Sequence, residues 1–151
     1  MRRKDRQTTR EQAVGILESG LYGVLSMSGG NALYGIPLSY VYLNGRVYFH
    51  CAAAGEKLER LRADDRVSFC VVGEAVPLPS EFSMRYRSAI AAGKAGEVSD
   101  DAEKSAALAA LVEKYSGKEY LRSGKDKAAA ALAHTLVFRI NIEELTGKVR
   151  A

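Results

Sequence analysis

Apolar residues recur along this chain at two spacings, and the spacing separates helix from strand. Within residues 8–19, Ala13, Ile16 and Leu17 fall on one face of a helix. Thr8 and Glu11 have the spacing of a capping box, and Gly20 supplies a stop. Residues 21–28 read as a strand ended by a Gly29-Gly30-Asn31 turn. Residues 32–43 read as one longer strand containing Pro37. A residue without an N–H belongs at a sheet edge or a bulge. Asn44-Gly45 marks a tight hairpin, and residues 46–51 return as its partner strand.

The second half continues the alternation. Residues 52–55 form a loop of small side chains, and 56–63 a short helix with Leu58 and Leu61 inward. Residues 66–73 read as a buried strand carrying Val67, Phe69, Val71 and Val72. Pro77 and Pro79 make 74–83 a loop, and 84–98 is a strand interrupted by Gly93 and Gly96. Asp100 or Asp101 caps a helix reaching about Tyr115, with Leu108, Leu111, Val112 and Tyr115 in one stripe. An Ala-rich helix covers 126–133. In 135–142, Leu136, Phe138, Ile140 and Ile142 alternate as in a half-buried antiparallel strand; a turn and tail follow. About six strands with hairpin connections exclude an all-parallel sheet, which needs a helix between successive strands. The pattern predicts a mainly β fold, a closed or partly closed antiparallel barrel with peripheral helices.

Composition adds scale. The 151 residues fit a single domain, residues 1–151, with an apolar share sufficient for a core without disulfide or metal staples. A chain this short cannot easily enclose a large cofactor, so such a site would draw on a second copy. The net charge of +4 is concentrated in Arg2, Arg3, Lys4, Arg6 and Arg10. Residues 1–7 read as a frayed basic tail, with an anion contact as the other reading. Later basic residues are mixed with acids, so a nucleic-acid surface is not indicated. Cys51 and Cys70 form no Cys-x-x-Cys pair and read as two buried thiols of a reducing cytoplasm. Neither a signal peptide nor a bilayer-spanning segment is present in the pattern, so the expected location is the cytoplasm.

Motif chemistry narrows by exclusion. There is no G-x-G-x-x-G between strand and helix, no P-loop, no H-E-x-x-H and no serine in a nucleophile elbow. What remains surrounds the central hairpin. Pro37-Leu38-Ser39-Tyr40 lies on one strand and Tyr48-Phe49-His50-Cys51 on its partner. Small residues, Gly55, and Lys57 at a helix start follow at once. Close backbone approach, free N–H groups and a full positive charge can seat a phosphate monoester, though the same combination also occurs without a ligand. His50 reads either as a hydrogen-bonded structural residue or as a polar group facing a ligand. Arg85 and Arg87 share a strand face, as an exposed surface or as an anion or dimer contact. Tyr40, Tyr42 and Tyr48 read as packing pairs or as stacking platforms.

The ordered blocks GIPLSYVYLNGRVYFHCAAAGEKLERL, RVSFCVVGE and RYRSAIAAGKA resemble the pyridoxamine 5′-phosphate oxidase-related flavoproteins, most closely their nitroimidazole-resistance (nitroimidazole reductase-like) branch. The resemblance runs from about Arg10 to Lys148. It implies an FMN-binding split β-barrel, a homodimer with FMN at the interface, and an FMN-dependent oxidoreductase. By the same resemblance Pro37, Leu38 and Ser39 would line the flavin, and His50, Cys51 and Ala52 would continue that wall. Lys57 would bind the phosphate, and Ser88 would reach FMN from the other subunit. His50 would also be the catalytic candidate, positioning substrate or relaying a proton, with a nicotinamide as electron donor. Relatives of the fold hold haem or a deazaflavin, so a non-catalytic module is the alternative. The strand bearing Pro37 lacks the arginine and lysine of the true oxidase, with no basic residue between Asn31 and Arg46. The chain also ends Gly147-Lys148-Val149-Arg150-Ala151, without the oxidase's C-terminal arginine motif. Pyridoxamine phosphate oxidation is therefore not expected.

Overall fold

The computed structural model describes residues 3–131 and 134–151. Its elements run α1 (Arg10–Ser19), β1 (Gly23–Met27), β2 (Tyr34–Leu38), β3 (Val41–Leu43), β4 (Arg46–Ala52), α2 (Glu56–Ala63), β5 (Arg66–Leu78), β6 (Ser83–Glu97), α3 (Asp101–Ser116), α4 (Leu121–Ala131) and β7 (Thr135–Arg150). The seven strands form one antiparallel sheet in the order β2-β1-β5-β6-β7-β4-β3. The two outermost strands, β2 and β3, are joined by only Ser39 and Tyr40. Consecutive Cα atoms lie about 3.8 Å apart, so this link draws the two sheet edges together. The sheet curls into a barrel left unpaired along that seam.

The inner face carries the main core. Leu25, Val47, Phe49, Phe69, Val71, Ala91 and Ile140 are fully or almost fully buried there, and α1 adds Ala13, Ile16 and Leu17. The Phe69 ring meets the Tyr40 ring edge-on at 4.8 Å. A second, smaller cluster sits outside the barrel, where Leu108 and Leu111 of α3 cover Tyr48 of β4 and Val137 of β7. Glu103 fastens this layer. Its carboxylate accepts from Tyr48 Oη at 2.7 Å and from Arg139 at 2.6 Å.

Several sequence expectations are corrected. The capping box is Thr9 with Gln12, not Thr8 with Glu11. The Thr8 N–H is committed to the Gly147 carbonyl, which leaves Thr9 to turn the chain into the helix. Residues 32–43 are two strands, because the Tyr115 hydroxyl of α3 accepts from the Tyr40 N–H at 2.9 Å and takes the place of a strand partner. Residues 74–83 are an extended hairpin arm turned at Pro79–Glu81, rather than a loop. β1 pairs with β5 only as far as Val71, so beyond it β5 is an edge strand that tolerates Pro77.

The last strand continues through Arg150 instead of ending at Ile142. The β6–β7 register shifts where Ala92 faces Glu144 and Gly93 faces Ile142, leaving Glu143 as the extra residue. A bulge reverses which side chains face inward. Leu145 and Val149 therefore pack on the core after Ile140, and a strict even-numbered alternation fails at that point. α4 starts at Leu121 rather than 126, and its expected end at 132 and 133 lies outside the described residues.

The basic segment is folded from Arg3 onward. Lys4–Arg6 is a 3-10 turn, Gln7 bridges to Lys148, and Arg6 donates to Tyr86 Oη. Arg3 pairs with Asp5 at 2.6 Å, which reduces the free positive charge there. Among the described residues, no helix is long and apolar enough to cross a membrane.

Candidate functional site at the barrel seam

Alternation along β4 sorts the expected wall into two sets. Val47, Phe49 and Cys51 face the core, while His50 and Ala52 face outward. The Cys51 thiol is thus turned away from the outer wall that it was expected to line. Burial pushes its pKa up, against the smaller lowering influence of Lys57, so it is a protonated core thiol. Cys70, expected to be buried, is half-exposed on the outer sheet face opposite Val24 and Ile90.

Val41 pairs with Tyr48 at the end of the β3–β4 ladder, and Ser39 and Tyr40 lead from there across the seam to β2. Pro37 and Ser39 are exposed and Leu38 is half-buried. β2 is an edge strand, which is where Pro37 was expected.

The wall leads into the start of α2. Gly55 is its N-cap, at φ 117°, a conformation open to glycine and strained for other residues. It has no side chain with which to cap, so the N–H groups of Glu56 and Lys57 are free of a capping side chain; those of Leu58 and Glu59 bond the Gly55 carbonyl. Lys57 stands at this terminus with Nζ 5.8 Å from the Phe49 ring centroid. The result is an anion seat with both helix-end and ammonium charge. The His50 pKa is lowered, first by burial and then by Lys57. At neutral pH its imidazole is therefore uncharged and can accept or donate one hydrogen bond.

Ser88 lies on β6 between Val72 of β5 and Lys148 of β7, with β5 and β1 separating its strand from β2. The stacking role considered for the tyrosines also lapses for two of them. Tyr40 and Tyr48 are buried, and Tyr40 Oη donates to the Leu17 carbonyl at 2.6 Å. Arg85 is engaged by Glu74 at 2.9 Å, and Arg87 is exposed.

Two features were not visible in the sequence. The first is a cavity of about 660 Å³ between the α3–α4 hairpin and the outer face of β4, floored by His50 and Thr135. The second is Lys114, whose Nζ lies 3.8 Å from the Tyr40 ring centroid and has no hydrogen-bond partner among the described residues. Burial pushes its ammonium down to about 8 from 10.5. Between those pH values the unfolded chain binds more protons, so stability rises with pH; below about 8 both states are protonated and the burial penalty is complete. The ring face offsets part of it. Lys114→Met is expected to stabilise the fold at pH 7 by about 1 kcal/mol and to remove the rise. Thermal melts of both proteins at neutral and alkaline pH check this. A variant no more stable than the parent at pH 7 would show that the ring face compensates the burial in full.

A curled antiparallel sheet left unpaired along one seam defines the split β-barrel class. Solved structures share this fold. A candidate 5-nitroimidazole antibiotic resistance protein from Bacteroides thetaiotaomicron is 23% identical, with 93% of this chain and 84% of that chain covered at a TM-score of 0.78. An FAD and heme binding protein from Mycobacterium smegmatis is 20% identical, with coverage of 95% and 73% and a TM-score of 0.76. An FAD-binding protein from Mesorhizobium loti is 23% identical, with coverage of 97% and 98% and a TM-score of 0.68. No curated protein matches the chain in sequence. The pattern of the pyridoxamine 5′-phosphate oxidase family matches residues 9–149, and the chain belongs to that family.

Proposed function

We propose that this protein is an FMN-binding oxidoreductase that works as a homodimer in the cytoplasm. The observation that supports the reading is the outward His50 and Ala52 at the end of β4, followed at once by the uncapped start of α2 and Lys57, with exposed Pro37 and Ser39 at the seam. A planar ring against the wall and a phosphate monoester at Lys57 match the two ends of FMN. When bound, the flavin supplies hydride and electron transfer, which no side chain of this chain can perform. The protein's own part is to hold the phosphate at Lys57, to orient the ring against Pro37–Ser39, and to present the neutral imidazole of His50 as a proton donor or acceptor. In this reading Ser88 of a second copy completes the site. A nicotinamide is the proposed electron donor.

Family membership does not extend to pyridoxamine phosphate oxidation. The segment from Asn31 to Arg46 offers no basic side chain in between for a second phosphate. The flavin reading is tested by the visible spectrum of the purified protein and by FMN titration. Paired flavin bands, or saturable quenching of added FMN, are expected. A colourless protein that leaves FMN fluorescence unchanged would end the proposal, and a Soret band would assign the wall to haem.

A further inference from the structure

The cavity under the α3–α4 hairpin has a consistent chemical character. Its walls are apolar and aromatic, from Val112, Tyr115 and Tyr120, with His50 and Thr135 at its floor. Lys127 is exposed at its edge and has no ion-pair partner among the described residues. Among the described lining residues there is no Asp or Glu, and Lys127 carries the full charge. A volume of about 660 Å³ is that of a small-molecule site rather than a packing defect.

Gly124 of α4 lies so close to Val112 of α3 that a Cβ there would overlap the valine side chain, so the two helices meet at the cavity's edge. Tyr115 is fixed as a wall because its hydroxyl sits 2.9 Å from the Tyr40 nitrogen, 3.0 Å from the Tyr40 carbonyl and 2.8 Å from the Leu21 carbonyl. The tether holds one cavity wall to the same Ser39–Tyr40 link that ends the seam-side wall.

We infer that this cavity binds a planar aromatic carboxylate, its rings between Val112 and the two tyrosines and its anionic group at Lys127. The neutral floor at His50 brings the ring edge beside the outer face of β4. That the ligand there is a substrate rests on the flavin reading; its binding does not.

The probe is 2-naphthoate, with uncharged 2-naphthylmethanol for comparison. Naphthalene fluorescence is excited on the long-wavelength side of tyrosine and tryptophan absorption, so it is read with little protein background in every variant. Saturable naphthoate binding to the full-length protein is expected. Lys127→Ala should weaken naphthoate about tenfold and leave naphthylmethanol unchanged. Val112→Trp, which fills the cavity, should abolish binding of both. Far-UV circular dichroism confirms the fold of each variant, and exposed Lys127 keeps the test valid if Val112→Trp does not fold. No saturation at millimolar naphthoate overturns the inference. So does equal affinity in Lys127→Ala, or binding that survives in a folded Val112→Trp. FMN titration of the same samples separates the two readings. Naphthoate binding without FMN binding sinks the flavin proposal alone, and the reverse sinks the cavity proposal alone.

Discussion

Phe69→Ala is expected to lower stability by about 3–5 kcal/mol, a large share of the roughly 5–15 kcal/mol that holds an ordinary domain folded. Phe69 is 0% exposed on β5, paired with Leu25 of β1 and Ala91 of β6. Its ring also fills the space above Gly23, where a Cβ would overlap it. Neither a small alanine nor a glycine can close around the missing ring, so the cavity persists. The loss spreads through Tyr40, which gives up its edge-on partner while its hydroxyl stays bound to Leu17 of α1. Urea unfolding followed by circular dichroism reads the effect as a lower midpoint at unchanged slope. Phe69→Leu should fall between the two proteins. A loss below about 1 kcal/mol for the alanine variant would mean that the ring does not organise the core.

Lys57→Ala is expected to weaken FMN about 10- to 100-fold, the range for losing one charge-assisted contact to a phosphate. Riboflavin, which lacks the phosphate, should bind both proteins equally. An equal loss for both ligands would make Lys57 a structural residue of α2. A second readout needs no flavin. Lys57 lowers the His50 pKa, with burial the larger cause. Removing the ammonium should move the imidazole titration up in an NMR experiment, though still below its ordinary value because burial remains. An unmoved His50 would place the two groups too far apart to share a site.

The individual elements show where local pattern suffices. Ala13, Ile16 and Leu17 are buried on α1, and Asp100 caps α3 by accepting from the Glu103 N–H at 2.7 Å, as their spacing predicts. Asn44-Gly45 turns between β3 and β4, with positive φ at both residues. These features depend on contacts within one turn or one hairpin, which the local sequence encodes. The errors have the opposite character. The split at Ser39–Tyr40 is caused by Tyr115, seventy-five residues away. The cap at Thr9 depends on Gly147 holding Thr8. The bulge at Glu143 needs Gly93 on the facing strand, where a Cβ would overlap the Asn141 carbonyl. The arm through Pro77 depends on where β1 ends.

The candidate site divides the same way. An outward His50 and an inward Cys51 follow from period-two alternation once Phe49 is recognised as core. Lys57 at an uncapped helix start follows from Gly55-Glu56-Lys57 alone. These are backbone properties, which neighbouring residues impose on one another over a few ångströms. Sheet order, the seam beside Ser39 and the cavity under α3 and α4 are not written in any window of residues. They arise when strands far apart in sequence pair and curl and a helix docks on the outside. Their free energy comes from burying Phe69, Tyr40 and Leu108 against distant partners, so only the assembled barrel could reveal them.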